Sequence, residues 1–320
     1  MSKGAKIWLI VAAALVLVGC IAFAVVMTAL KWNFSSLSTT QYETNEHTVT
    51  ESFSGISVNT DTAKIDFIPS ESTECKVVCY EQEDIKHTVE VVDGTLTVKL
   101  VDSRRWYKYI GFNFSTPKIT VYMPQGEYGA LIIKTSTSDV AIPKDFAFKS
   151  IDVTASTGRV ADYASATDGV KIRTTTGDVL VEGISASAID ISVTTGRVTV
   201  TDVAVSGKAS IRVTTGKTNL TNATCESLKS DGSTGDITLK SVIVDGILSV
   251  ERDTGDVRLE GSDAAEIYIE TDTGDVTGSL LTEKVFIVET DTGRKEYPNT
   301  NSGGRCEITT DTGDIKITIE

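Results

Sequence analysis

A Thr-Gly pair recurs along this chain with a nearly constant spacing. The glycines are Gly158, Gly177, Gly196, Gly216, Gly235, Gly255, Gly274, Gly293 and Gly313, each 19 or 20 residues from the last. A fixed period of this size marks a stacked fold in which each unit contacts its neighbours and buries one continuous interior. Positions around the glycine repeat too. Seven before it stand Ile151, Val170, Ile189, Ala209, Leu228, Leu248, Ile267, Phe286 and Cys306. Five before it stand Val153, Ile172, Ile191, Ile211, Ser230, Val250, Ile269, Val288 and Ile308. Two after it come Val160, Val179, Val198, Ile237, Val257, Val276 and Ile315.

Apolar residues at alternate positions mean strands with one buried face. Nineteen residues accommodate two strands and two turns but no useful helix. The unit is therefore one coil of an all-β, single-stack β-solenoid. The glycine suits a corner where a Cβ would clash, and the threonines suit strand ends, where their hydroxyls can form a ladder from coil to coil.

The frame extends upstream with Ser138 and Ala63 at the glycine position, so the stack begins near residue 50. Counting the unmarked strands between 76 and 123 gives about 14 coils and a rod of about 65 Å at the usual strand spacing. Each unit is expected to lie directly on its predecessor.

Before the stack, Ile7 to Leu30 is an unbroken apolar run following Lys3 and Lys6. Its length suits one transmembrane helix, and the lysines favour a cytoplasmic N-terminus. The predicted organisation is a cytoplasmic end at 1–6, a membrane helix at 7–30 and a polar tether at 31–48. Irregular coils or a cap follow at 49–125, then regular coils at 126–320. Leu17-Val18-Gly19-Cys20 has the form of a lipobox, but ten apolar residues follow Cys20 where a lipoprotein turns polar. Every reading of the run places the rod outside the membrane.

Beyond residue 31 there are 27 basic and 44 acidic side chains, a balance that argues against nucleic acid. In the cap, strands are predicted at 76–80, 88–92, 95–101 and 118–123, with Asp93-Gly94 as a hairpin turn. Arg104, Arg105, Trp106, Tyr107, Lys108 and Tyr109, with Phe112 and Phe114, form the densest basic-aromatic cluster outside the membrane. Such a mixture suits a glycan, lipid headgroups or a peptide.

Asp253, Asp272, Asp291 and Asp311 each open an Asp-Thr-Gly. An aspartic protease needs two such carboxylates converging on one water, whereas a coil period stacks them in a column. The column is a candidate calcium site, and otherwise no cofactor is expected. Asp256, Asp275 and Asp314 begin a second column, which Arg159, Arg197, Lys217 and Arg294 interrupt. Cys225 and Cys306 occupy buried columns, and Cys75 and Cys79 are too far apart on one strand to bridge. His47 in the tether and His87 in the cap leave no Cys-His arrangement, and no enzyme is indicated.

The Thr-Gly-Asp coils, Phe53-Ser-Gly-Ile-Ser-Val, Gly94-Thr-Leu-Thr-Val and Pro117-Lys-Ile-Thr-Val-Tyr-Met-Pro124 resemble a bacterial domain of unknown function labelled a candidate adhesin. The resemblance covers residues 50–320. It implies a β-solenoid on a bacterial cell surface, with a role in adhesion or in envelope-stress responses, and it transfers no catalytic residues. The loop at 102–114 and the degenerate coil at 295–304 depart from the pattern and are where specificity would sit.

The function expected is a membrane-anchored, extracytoplasmic adhesion or binding module for a cell-surface glycan or protein. The alternative is an envelope-stress accessory or sensor whose acidic face captures cationic antimicrobial peptides or a membrane partner. A polysaccharide-active enzyme is the remote third. The last strand, 314–320, is expected to be a free edge, blunted by Lys316 and Glu320 or paired with another copy.

Overall fold

A computed structural model describes residues 2–33, 41–104 and 115–320. Helix α1 (Lys3–Ala29) is capped by the Ser2 hydroxyl. It ends where Lys31 and Trp32 take positive φ. Gly4–Ala29 has a mean hydropathy of 3.1 and an exposed surface. Such a helix fits a membrane anchor or a signal sequence.

The remainder is a β-solenoid of about 10 turns, fewer than the 14 expected. At the usual strand spacing it is about 50 Å long. The difference lies in the cap, where the unmarked strands mostly fold back instead of adding turns. In the regular part the predicted columns point inward: Ile133, Val153, Ile172 and Ile191 stack on one wall, and Val160, Val179 and Val198 on the next. All are essentially inaccessible.

The glycine column is fixed by contact between coils. A Cβ on Gly177, at φ 145°, would lie 1.9 Å from the Gly158 carbonyl oxygen, and one on Gly216 1.8 Å from that of Gly196. The threonine ladder differs from the expected one. Hydroxyls of Thr271, Thr310 and Thr290 donate to the carbonyls of Gly255, Gly274 and Gly313 (3.0–3.3 Å). A direct Thr292-to-Thr312 bond of 3.3 Å accompanies them.

The largest fully buried side chain is polar. Arg252 is buried and donates to Thr218 Oγ1 (3.2 Å), Ser230 Oγ (3.1 Å) and the Glu251 carbonyl (3.0 Å). Ser230 and Thr218, both in aliphatic columns, are explained by this guanidinium. Gly232 beside it is set by the neighbouring coil, since a Cβ there would lie 1.8 Å from the Val213 carbonyl oxygen and 3.0 Å from Arg252 Nη1.

Coils lie on their predecessors through the middle of the stack but not at its ends. Strands β1 (Tyr42–Val49), β2 (Gly55–Asn59), β3 (Lys64–Ser70), β4 (Cys75–Gln82), β5 (Ile85–Val92), β6 (Thr95–Asp102), β7 (Lys118–Pro124), β8 (Gly126–Thr137) and β9 (Val140–Ile142) build the first end. The β2–β3 coil is sandwiched: Ile56 pairs with Leu96 of β6 and Leu131 of β8, and Ile65 with Ile119 of β7 and Val140 of β9. Outside this, β4 runs antiparallel to β7, β5 to β6 and β1 to β4. Residues 42–48, expected in the tether, are thus part of a strand, because β4 offers them a backbone edge. The Asp93-Gly94 turn has φ of 49° and 72°, as expected for a tight hairpin.

At the other end, Gly304–Thr312 lies between Val257–Thr273 and Lys284–Thr292. Ile315–Ile319 pairs with Val276–Leu280 and, over two residues, with Lys295–Glu296. The expected free edge at 314–320 is therefore partly covered, and strand 284–292 is the outer one.

Candidate functional site

Of the basic-aromatic cluster, Arg104 is described, while Arg105, Trp106, Tyr107, Lys108 and Tyr109 lie outside the described residues. Arg104 holds Asp102 through Nε (3.0 Å) and Nη2 (2.6 Å). Both line a cavity of about 100 Å³ with Thr60, Gln82, Ile85 and His87.

The aspartates of the Asp-Thr-Gly tripeptides do stack, in the order Asp253, Asp272, Asp311, Asp291, and all four are exposed. Among the described residues, one set of three His, Cys, Asp or Glu side chains has its ligand atoms within 4.8 Å of one another, and it lies elsewhere. The second column has a structural task. Asp256 Oδ1 accepts the Asp275 N–H (2.9 Å), Asp275 Oδ1 accepts that of Asp314 (2.8 Å), and Asp314 Oδ1 that of Arg294 (2.8 Å). Asp139 and Asp178 do the same for Arg159 and Arg197 (2.8 Å each). Basic residues in this column complement it: Lys217 bridges Asp236 at 2.8 Å and Arg294 bridges Asp314 at 2.9 Å.

A groove of about 860 Å³ crosses six coils along one corner of the rod. Its floor is Phe148, Ala166, Ala186 and Val205, all buried, and its sides carry Ser165, Thr167, Ser185, Ser187, Ser206 and Thr224. Glu127 and Lys149 add one charge of each sign to its rim. At one end Tyr128 packs against Phe148 and Phe53 (ring centroids 6.0 and 6.1 Å apart), and its hydroxyl donates to the Pro124 carbonyl at 2.7 Å. The groove lay hidden in the sequence because its residues occupy the least regular third of each coil.

The set of three is Cys79, Glu81 and His87, all buried beneath the antiparallel cap. This corrects the expectation that no Cys-His arrangement forms. Cys79 and Glu81 alternate on one face of β4, and the β4–β5 hairpin returns His87 to them. The Glu81 Oε2 accepts both the His87 N–H and its ring Nδ1 (2.7 Å each), and Oε1 accepts Asn45 Nδ2 at 2.8 Å. Thr60 Oγ1 lies 2.9 Å from His87 Nε2. Burial alone would raise the Glu81 carboxyl, but bonds from His87 and Asn45 outweigh it and hold it below the usual range. The Cys79 thiol is pushed up to about 12 by burial, with the Glu81 charge adding to it. No sequence signal marked the set, since Glu81 stands among Cys79, Tyr80, Gln82 and Glu83 and meets His87 only across the hairpin.

A further buried acid, Asp162, occupies the aliphatic wall beside Ile142 and Val181. Its Oδ1 accepts the Ala164 N–H at 3.0 Å, and its Oδ2 has no partner. Burial pushes it up to about 7.

The profile of the Toastrack family, DUF4097, matches residues 53–318, most of the chain. The chain belongs to the Toastrack family. No curated protein matches this Toastrack chain. Among solved structures, similarity extends to a "putative adhesin" from Parabacteroides merdae at 14% identity and TM-score 0.48, covering 76% of this chain and 97% of that one. A "putative adhesin" from Parabacteroides distasonis gives 10% identity and TM-score 0.47, over 88% and 98%. A "putative lipid binding protein" from the same species gives 10% and 0.46, over the same shares.

Proposed function

We propose that this chain is a membrane-anchored, extracytoplasmic binding module whose corner groove holds an extended, hydroxyl-rich polymer, a glycan of the cell surface. The observation that carries the reading is the groove itself. It is about 25 Å long at the strand spacing of six coils, with an apolar floor, hydroxyl-bearing sides and Tyr128 at one end. Sugars offer apolar C–H faces to such a floor and ring, and hydroxyls to the serines and threonines. The apolar helix α1 supplies the anchor, with Lys3 and Lys6 on the cytoplasmic side.

Glycan arrays on the detergent-solubilised chain test this reading. A bound glycan should lose at least about 10-fold in affinity, or 1.4 kcal/mol, on Tyr128→Ala and on the exposed, groove-lining Ala204→Trp. Binding indifferent to both changes, or no glycan bound at all, would refute it.

The exposed column of Asp253, Asp272, Asp311 and Asp291 favours a second reading, capture of calcium or a cationic peptide. Its affinity should fall steeply with salt. Salt-independent binding would discard it.

A further inference from the structure

A sulfur, an oxygen and a nitrogen from different residues meet in the cap within 4.8 Å of one another, all screened from solvent. We propose that this is a metal site, in which Cys79 Sγ, Glu81 Oε2 and His87 Nδ1 ligate a divalent cation of the zinc class.

The donor set selects the class. Calcium and magnesium take oxygen ligands, whereas a thiolate with an imidazole suits zinc and its neighbours. Charge points the same way. A thiolate and a carboxylate together balance a doubly charged cation, and the imidazole adds none, so the buried centre is neutral overall. Without the cation, the same interior holds a carboxylate and a thiol that burial keeps protonated.

The surrounding residues are those that a ligand set requires. Asn45 fixes the second oxygen of Glu81, and Thr60 fixes the far nitrogen of His87. A metal-bound histidine characteristically gives its other N–H to such a partner. The Thr60 hydroxyl serves in either state. In the metal-free neutral ring, Nδ1–H donates to Glu81 and Nε2 accepts from Thr60. With the cation on Nδ1, Nε2 carries the hydrogen and donates to Thr60 Oγ1, which only has to rotate its own hydrogen. Binding releases the thiol proton to solvent and moves the imidazole hydrogen from Nδ1 to Nε2. Affinity should therefore rise with pH. A cavity of about 100 Å³, lined by Thr60 and His87, adjoins the set.

The test is cobalt titration of the metal-stripped full chain in detergent, followed visibly and by competition with zinc. One cobalt per chain should bind with a thiolate-to-cobalt charge-transfer band, and zinc should displace it. Cys79→Ser should abolish the band and weaken binding by more than about 100-fold, while Thr60→Val should weaken it by about 10-fold and keep the band. Cys75→Ser should change neither. If Cys79→Ser does not fold, X-ray absorption of the zinc-loaded wild type decides, because one sulfur neighbour is required. No band, a band that survives Cys79→Ser, or a zinc shell without sulfur overturns the proposal.

Discussion

The two ends of the rod solve one problem in different ways. A parallel stack must stop somewhere, and its last strand presents unpaired backbone groups to any passing chain. At the first end the chain turns antiparallel: β4 and β5 cover β7 and β6, and β1 adds a polar edge of alternating exposed residues. At the other end the described strands pair in parallel. The outer strand 284–292 leaves Val285 and Ile287 about 40% exposed, with Tyr297 packed on Phe286 beside it. Yet both ends share a device, a coil held one layer further in than its place in the chain. An antiparallel cap brings polar groups together across a hairpin, which is how Cys79, Glu81 and His87 meet. The parallel end repeats its columns, and the polar group it buries is a single ion pair, Lys284 with Asp263.

The largest effect that would break this comparison is removal of residues 304–320. It deletes Cys306, Ile308, Ile315 and Ile317 from the core and strips strand 284–292 of its pairing with 304–312. At about 1.5–3 kcal/mol for each buried side chain, about 6–12 kcal/mol of burial is lost. Limited proteolysis should then cut within 284–303 while β1 to β9 stay intact. Protection of 284–303 in the truncated chain would show that the inserted coil is dispensable.

Next comes a measurement on the regular middle, the reference for both ends. Asp162 has a folded pKa near 7 against an ordinary 3.8. The folded state therefore binds more protons than the unfolded state between those values, and stability falls as pH rises through that window and levels off above it. The full difference is roughly 4 kcal/mol. Asp162→Asn should remove that slope and raise the denaturation midpoint at pH 8 but not at pH 3. An unchanged pH slope would show that the Asp162 carboxyl finds a partner in solution.

A smaller effect sharpens the picture of the outer end. The buried Lys284 of the outer coil reaches Asp263 at 2.6 Å, past the inserted coil that carries Cys306. Lys284→Met leaves Asp263 without its cation and should cost about 3 kcal/mol, recovered largely in the double change with Asp263→Leu. Equal losses in the single and double variants by chemical denaturation would remove this clamp from the account.

The Thr-Gly period and its aliphatic columns made the solenoid and its buried positions legible. The same period hid the order of the layers at the ends, since equivalent coils carry equivalent columns whichever neighbour they meet. Arg252 was legible in principle, because Ser230 and Thr218 break their columns where its guanidinium reaches. The Cys79, Glu81 and His87 set was not, because it depends on an antiparallel pairing that no periodicity encodes. The groove fell between the two, since alanines and serines at a corner read as turn residues until six of them line up.

The placement of 304–319 inside 284–296 also dictates an assembly sequence. The outer coil cannot reach its final neighbour until residues that follow it in the chain have arrived, so this tip must be zipped from the far side inward. A synthetic peptide spanning 304–320 should therefore find a ready-made berth in a chain shortened before it, turning the tip of the rod into a two-part fastener.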